Sequence, residues 1–144
     1  MTAPSEQQIE ALVETALDAR ARAYAPYSDF ATGAAVLTAT GAVSPGAMVE
    51  NLVFGLAMCA ERVALFTAVT ARRGLPTALA VAAPRTAGRR TFPCGPCLQV
   101  AIEVGGPSLT VIAVDPGDGS YELQTIEQLA PGIPHRRNAG AGLL

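Results

Sequence analysis

The chain has no tryptophan and no lysine, a single histidine and only three cysteines in 144 residues. Every basic residue is therefore an arginine, and the formal net charge is −2. Arg89-Arg90 and Arg136-Arg137 are short pairs in predicted loops, read as solvated charges. A polynucleotide partner would need a clustered positive face, and none is written here. No run approaches the roughly 20 apolar residues of a membrane span. Met1-Thr2-Ala3-Pro4 does not open a signal peptide, so the expectation is a cytoplasmic protein whose thiols stay reduced. An odd number of cysteines in such a compartment points to metal binding or catalysis over disulfides. His135, between Pro134 and Arg136, reads as a solvated loop residue.

What is present is apolar. Half the residues are hydrophobic and 15% are charged, the composition of a compact globular protein with surface left over for subunit contacts. Ser5 can cap a first helix, with Gln8 completing a capping box. Ile9, Leu12, Val13, Ala16 and Leu17 make its apolar stripe, and it is expected to end near Arg22, before Pro26. Ala34 to Leu37 and Val43 to about Val49 read as strands of a hairpin turning at Thr38-Ala39-Thr40-Gly41. A helix is predicted from near Met58 to Arg72 or Arg73, ending at Gly74. An apolar strand, Ala78 to Ala83, leads through a loop to a helix from Cys94 to about Val104. Leu109 to Val114 is the next strand and Pro116 to Gly119 a turn. A short strand and a helical turn fit within Tyr121 to Leu129. The expectation is one α/β domain over 1–131, a three-layer α/β/α arrangement with a mixed central sheet of about five strands. Residues 132–144 read as a loose tail.

All three cysteines fall in two elements, Cys59-Ala60-Glu61-Arg62 and Pro93-Cys94-Gly95-Pro96-Cys97, each at a predicted helix start. Unpaired backbone N–H groups and the positive helix end favour thiolate there. Cys94 and Cys97 can reach one ion from a single turn, and Cys59 would come from a neighbouring helix. Three thiolates on one zinc leave a fourth position for water, whose pKa such a site lowers to about 7. Glu61 need not bind the metal that Cys59 binds, so it is the candidate to carry protons between water and substrate. Zinc deaminases use this set: zinc held by His or Cys with two further Cys, and a separate Glu as acid/base.

Together with Tyr24-Ala25-Pro26-Tyr27-Ser28, Phe30, Gly33-Ala34-Ala35, Val49-Glu50-Asn51 and Gln99-Val100, these elements resemble the cytidine deaminase family in its short, all-cysteine, homotetrameric form, a near relative of blasticidin-S deaminase. The resemblance runs from Tyr24 to about Pro131. It implies one Zn²⁺ per chain on Cys59, Cys94 and Cys97, with Arg62 balancing thiolate charge and Glu61 as the catalytic acid/base. It implies a substrate pocket that includes Phe30 against the pyrimidine ring, Glu50 on a sugar hydroxyl, and Met48 and Ala60. It also implies a homotetramer, or a dimer, whose subunits share active sites.

The chain departs from that pattern at four places. Met48 stands where the family usually has Asn, and Phe54 where Tyr is common. Leu98 replaces a common Arg, and Pro134 falls where a closing Phe is frequent. Three of these changes touch the sugar or base pocket and make it more apolar. The expected activity is hydrolytic deamination of a free cytosine nucleoside, cytidine or deoxycytidine. One alternative keeps the chemistry on a modified cytosine nucleoside of the blasticidin type or another amino-heterocycle. The other is a non-catalytic domain with structural zinc, which would normally close its site with four protein ligands.

Overall fold

A computed structural model describes residues 3–136. The elements in chain order are α1 (Glu6–Arg20), β1 (Gly33–Thr38), β2 (Val43–Ala47), a 3₁₀ turn (Phe54–Leu56), α2 (Ala60–Thr70), β3 (Pro76–Ala82), α3 (Gly95–Gly105), β4 (Thr110–Val114), β5 (Tyr121–Thr125) and α4 (Ile126–Leu129). The strands form one sheet in the order β2-β1-β3-β4-β5. Only β3 and β4 run parallel; the other three pairings are antiparallel.

Alternation along the strands sorts the core into two layers. Ala34, Val36, Leu79 and Val111 pack with α2 and α3 on one face. Ala35, Leu37, Ala78, Ala80, Ala82, Ile112 and Val114 pack under α1 on the other. This is the expected three-layer α/β/α architecture with a five-stranded mixed sheet. The short alanines let the helices lie close, and two glycines let them lie closer. A Cβ on Gly33 would come 2.6 Å from Arg20 Cα, and one on Gly46 would come 2.9 Å from Ala64 Cα. α1 thus rests on β1 and α2 on β2 at positions where no side chain fits.

The capping box at Ser5 forms as read, Gln8 N–H donating to Ser5 Oγ at 3.2 Å and Ser5 N–H to Gln8 Oε1 at 2.9 Å. Several boundaries differ from the sequence reading. α1 ends at Arg20. β2 ends at Ala47 because the chain then leaves β1, and Val49 pairs with Tyr24 and Met58 instead. α2 begins at Ala60, Cys59 being an extended N-cap residue. It ends at Thr70, and Arg72 and Gly74 take left-handed conformations that turn the chain toward β3. Arg90 is half-buried, with its guanidinium on Ser120 Oγ at 2.6 Å, so it is not the solvated charge expected. In the expected tail, Ile133 packs on the α2–α3 core and Gln99 donates to Pro134 O at 2.7 Å. Arg136 pairs with Glu103 at 3.2 Å. The remainder of the tail, 137–144, lies outside the described residues.

Candidate active site

The two cysteine elements cap two adjacent helices. Cys59 is the N-cap of α2 and Cys94 the N-cap of α3, both with extended backbone, and Cys97 sits in the first turn of α3. Pro96 fits that turn because its missing N–H is one the helix start leaves unpaired. The α2–α3 packing brings the three Sγ atoms within 4.8 Å of one another, with Cys94 and Cys97 3.4 Å apart. Tetrahedral Zn–S bonds of about 2.3 Å place sulfurs roughly 3.8 Å apart, so the donor set and its spacing fit zinc. Cys97 is buried, Cys59 half-buried and Cys94 exposed, which leaves one side of the cluster open to solvent.

Electrostatics follow from that packing. A hydrogen bond from Cys97 draws the Cys59 thiol down to about 5, and Arg62 assists. Cys97, which keeps the shared proton, is pushed up. The Arg62 guanidinium donates to Cys59 Sγ at 3.5 Å and is itself raised by that contact. Glu61, one position before Arg62, is 6% exposed. Burial pushes its carboxyl up to about 7, with the Cys59 thiolate adding to the shift. A carboxyl poised near neutrality can both take and return a proton.

Glu50 reaches this cluster through backbone. Val49 N–H donates to Met58 O at 3.0 Å and Met58 N–H returns to Val49 O at 2.9 Å, immediately before Cys59. On the other side Glu50 N–H donates to Tyr24 O at 2.8 Å. The Glu50 carboxylate accepts the Tyr27 and Ser28 amides at Oε1, 3.0 and 3.2 Å. Phe30 N–H donates to Ser28 Oγ at 3.0 Å, so Phe30 belongs to the same turn. Met48 is half-buried and packs on the α2–α3 core. Ala60 and Leu98 lie inside that core as well. Phe54, at 84% exposed, stands out from the surface with Leu52 at 75%. The tie between the Tyr27-Ser28 turn and Glu50 was not read from sequence; Pro26 and Asp29 around it were the available turn signal.

The description "cytidine and deoxycytidylate deaminase zinc-binding region" fits a family model that matches residues 6–113. A cytidine deaminase of Halalkalibacterium halodurans is 41% identical, covering 84% of this chain and 89% of its own. The crystal structure of cytidine deaminase from Burkholderia pseudomallei superposes with a TM-score of 0.80 at 42% identity, over 87% of this chain and 98% of that one. That from Mycobacterium tuberculosis gives 0.73 at 33% identity, over 90% and 97%. Three clustered thiols, a buried acid beside them and likeness along nearly the whole described chain agree: the chain belongs to the cytidine and deoxycytidylate deaminase family.

Proposed function

We propose that the protein is a zinc-dependent aminohydrolase that converts cytidine and deoxycytidine to the uracil nucleoside and ammonia. The observation that carries this reading is the cluster of three Sγ atoms within 4.8 Å, with a buried carboxyl on the same helix turn. Cys59, Cys94 and Cys97 would hold one Zn²⁺, which supplies, when bound, the Lewis acidity that makes water a nucleophile near neutral pH. Arg62 offsets part of the thiolate charge. Glu61 takes a proton from the attacking water and delivers it to ring N3. With the water oxygen added at C4, Glu61 takes the second proton from that hydroxyl and passes it to the amine, so the C4–N bond breaks, the C4 carbonyl forms and ammonia leaves. Glu50 binds a sugar hydroxyl and Phe30 packs against the base; Met48 completes the pocket wall, while Ala60, expected there from sequence, lies behind it in the core.

Val49, Leu52, Val53, Phe54 and Leu56 are all exposed within eight residues of chain, next to the site. Such a patch supports burial against further copies of this chain, as a homotetramer built on dimers with shared active sites. No helix is long and apolar enough to cross a membrane among the described residues. A cytoplasmic role in pyrimidine salvage, carried by a single domain over 1–131, completes the reading. Loss of cytidine absorbance with zinc-loaded protein tests it, and a folded, zinc-bound protein with no turnover overturns it. A second reading, deamination of a modified cytosine nucleoside, is favoured by Met48: its thioether, two residues from Glu50, offers a sugar no strong hydrogen bond. Ammonia release from a panel of amino-heterocycles separates the two.

A further inference from the structure

The loop from β3 to α3 brings Arg85, Arg89 and Arg90 to one cavity. Thr86 and Arg89 exchange both backbone hydrogen bonds, at 2.9 and 3.0 Å, around a tight turn. Ala87 and Gly88 form that turn with left-handed φ values of 51° and 76°. Side chains brace it: Arg85 Nη1 donates to Gly88 O at 3.2 Å, and the Thr86 and Thr91 hydroxyls bond at 2.7 Å. Facing the loop is β5, where Gln124 lies opposite Val111 on the sheet face that α3 covers, and Glu122 shares that face. Between them lies a cavity of about 420 Å³, lined by Arg85, Arg89, Arg90, Phe92, Glu122 and Gln124. That volume falls in the range of small-molecule sites.

The charges here are not spent on one another. Arg85 pairs with Asp115, but among the described residues no arginine pairs with Glu122, whose Oε1 accepts from Gln124 Nε2 at 3.0 Å. The Arg89 guanidinium makes no hydrogen bond or ion pair among the described residues. Arg90 is half-buried; its Nη2 donates to Ser120 Oγ, which donates on to Asp118, and its Nε is buried with no partner. A guanidinium presents five N–H groups in a fork that matches phosphate, and leaving a buried one unpaired is costly. Arg89 and Arg90 together therefore suit an oxyanion of more than one charge. Phe92, half-buried in the cavity wall, offers aromatic surface to a planar ring. Glu122 repels a bare phosphate but accepts from a ligand's hydroxyl or amine. We propose that this cavity is a second ligand site, taking a mononucleotide with its phosphate on Arg89 and Arg90 and a hydroxyl or amine on Glu122. It is separate from the proposed substrate pocket: Glu50 follows β2 at one edge of the sheet, and Glu122 lies on β5 at the other. Phe92 also packs on the α2–α3 core two residues before Cys94, so occupancy bears on the loop leading to the metal-ligand candidates.

The test is isothermal titration of zinc-loaded protein with adenosine 5′-monophosphate, whose base is not a cytosine, beside adenosine and inorganic phosphate. The expected result is one site per chain for the monophosphate, with adenosine and phosphate each at least about tenfold weaker. Arg89→Ala weakens the monophosphate about tenfold, the scale of one hydrogen bond to a charged group. Its side chain is exposed and holds no other group, so the variant melts with wild type. Glu122→Gln narrows the gap between monophosphate and inorganic phosphate, and Glu50→Gln leaves monophosphate binding unchanged. Inorganic phosphate binding as tightly as the monophosphate overturns the nucleotide assignment. Adenosine binding as tightly overturns the role of the arginines. A loss in Glu50→Gln with none in Arg89→Ala places the nucleotide in the substrate pocket and overturns the second site. Absence of binding at millimolar monophosphate overturns it outright.

Discussion

Val49 and Met58 exchange both of their backbone hydrogen bonds, 3.0 Å in one direction and 2.9 Å in the other. The bridge joins the residue before Glu50 to the residue before Cys59, so the Glu50 carboxylate, proposed to bind the sugar, and the first metal-ligand candidate share one piece of backbone. Val49→Pro deletes one donor and leaves the Met58 carbonyl unpaired, at a cost of about 1–3 kcal/mol. Because the bridge serves both groups, zinc affinity and KM should worsen together. Zinc content after dialysis against a weak chelator, read beside KM, checks this. A variant that changes neither would mean the two groups are placed independently.

Glu61→Gln keeps the shape and burial of the side chain and removes its ability to move a proton. Turnover should fall about 10²- to 10⁴-fold, the range general acid–base groups supply. Zinc content should stay at one per chain, since Glu61 is not among the clustered donors. Thermal stability at neutral pH should not fall, because a buried acid raised to about 7 costs stability wherever it is charged. Turnover near the wild-type rate in the folded variant would assign the proton transfers elsewhere.

The sequence made the metal cluster readable because ligand chemistry restricts residue type: three cysteines in two helix-start elements left one arrangement. The sheet was readable too, since β1, β3 and β4 are continuous apolar runs buried on both faces. The connection from Val49 to Met58 was not. Its bonds are backbone to backbone, and any residue but proline could make them. The exposed run Leu52 to Leu56 was missed for a related reason: apolar side chains facing solvent have the same composition as a core segment. Boundaries of α2 slipped because Cys59 and Arg72 leave helical geometry at points where neighbouring residues remain good helix formers.

Gly46 lies where α2 crosses β2. A methyl group there would stand 2.9 Å from Ala64 Cα and closer still to the Ala60–Ala64 backbone, which cannot rotate away. Gly46→Ala should therefore displace the first turn of α2 and destabilise the fold by about 1–3 kcal/mol. That turn carries Cys59 and Glu61, so kcat should fall along with the denaturation midpoint. Wild-type stability in Gly46→Ala would mean that α2 shifts freely.

Arg85 and Asp115 tie the loop ahead of Cys94 to the turn between β4 and β5. The Arg90–Ser120 bond at 2.6 Å runs alongside, and Thr91 Oγ donates back to Pro84 O at 2.6 Å. Asp115 accepts the Gly117 amide at 2.8 Å, and this bond, aided by Arg85, holds its carboxyl below the usual range. A depressed pKa means that the folded state prefers the charged form. The stabilisation is complete above the unfolded value of about 3.9 and disappears as pH falls through the lower folded value. Asp115→Ala should then melt below wild type by a constant margin from pH 8 to about 5, a margin that closes below about pH 4. Paired thermal melts across that range test the sign, since loss of thiolate ligation in acid lowers both proteins alike. A margin that persists undiminished at pH 3 would assign the loop's attachment to packing and neutral hydrogen bonds, with the Arg85–Asp115 charge pair contributing nothing.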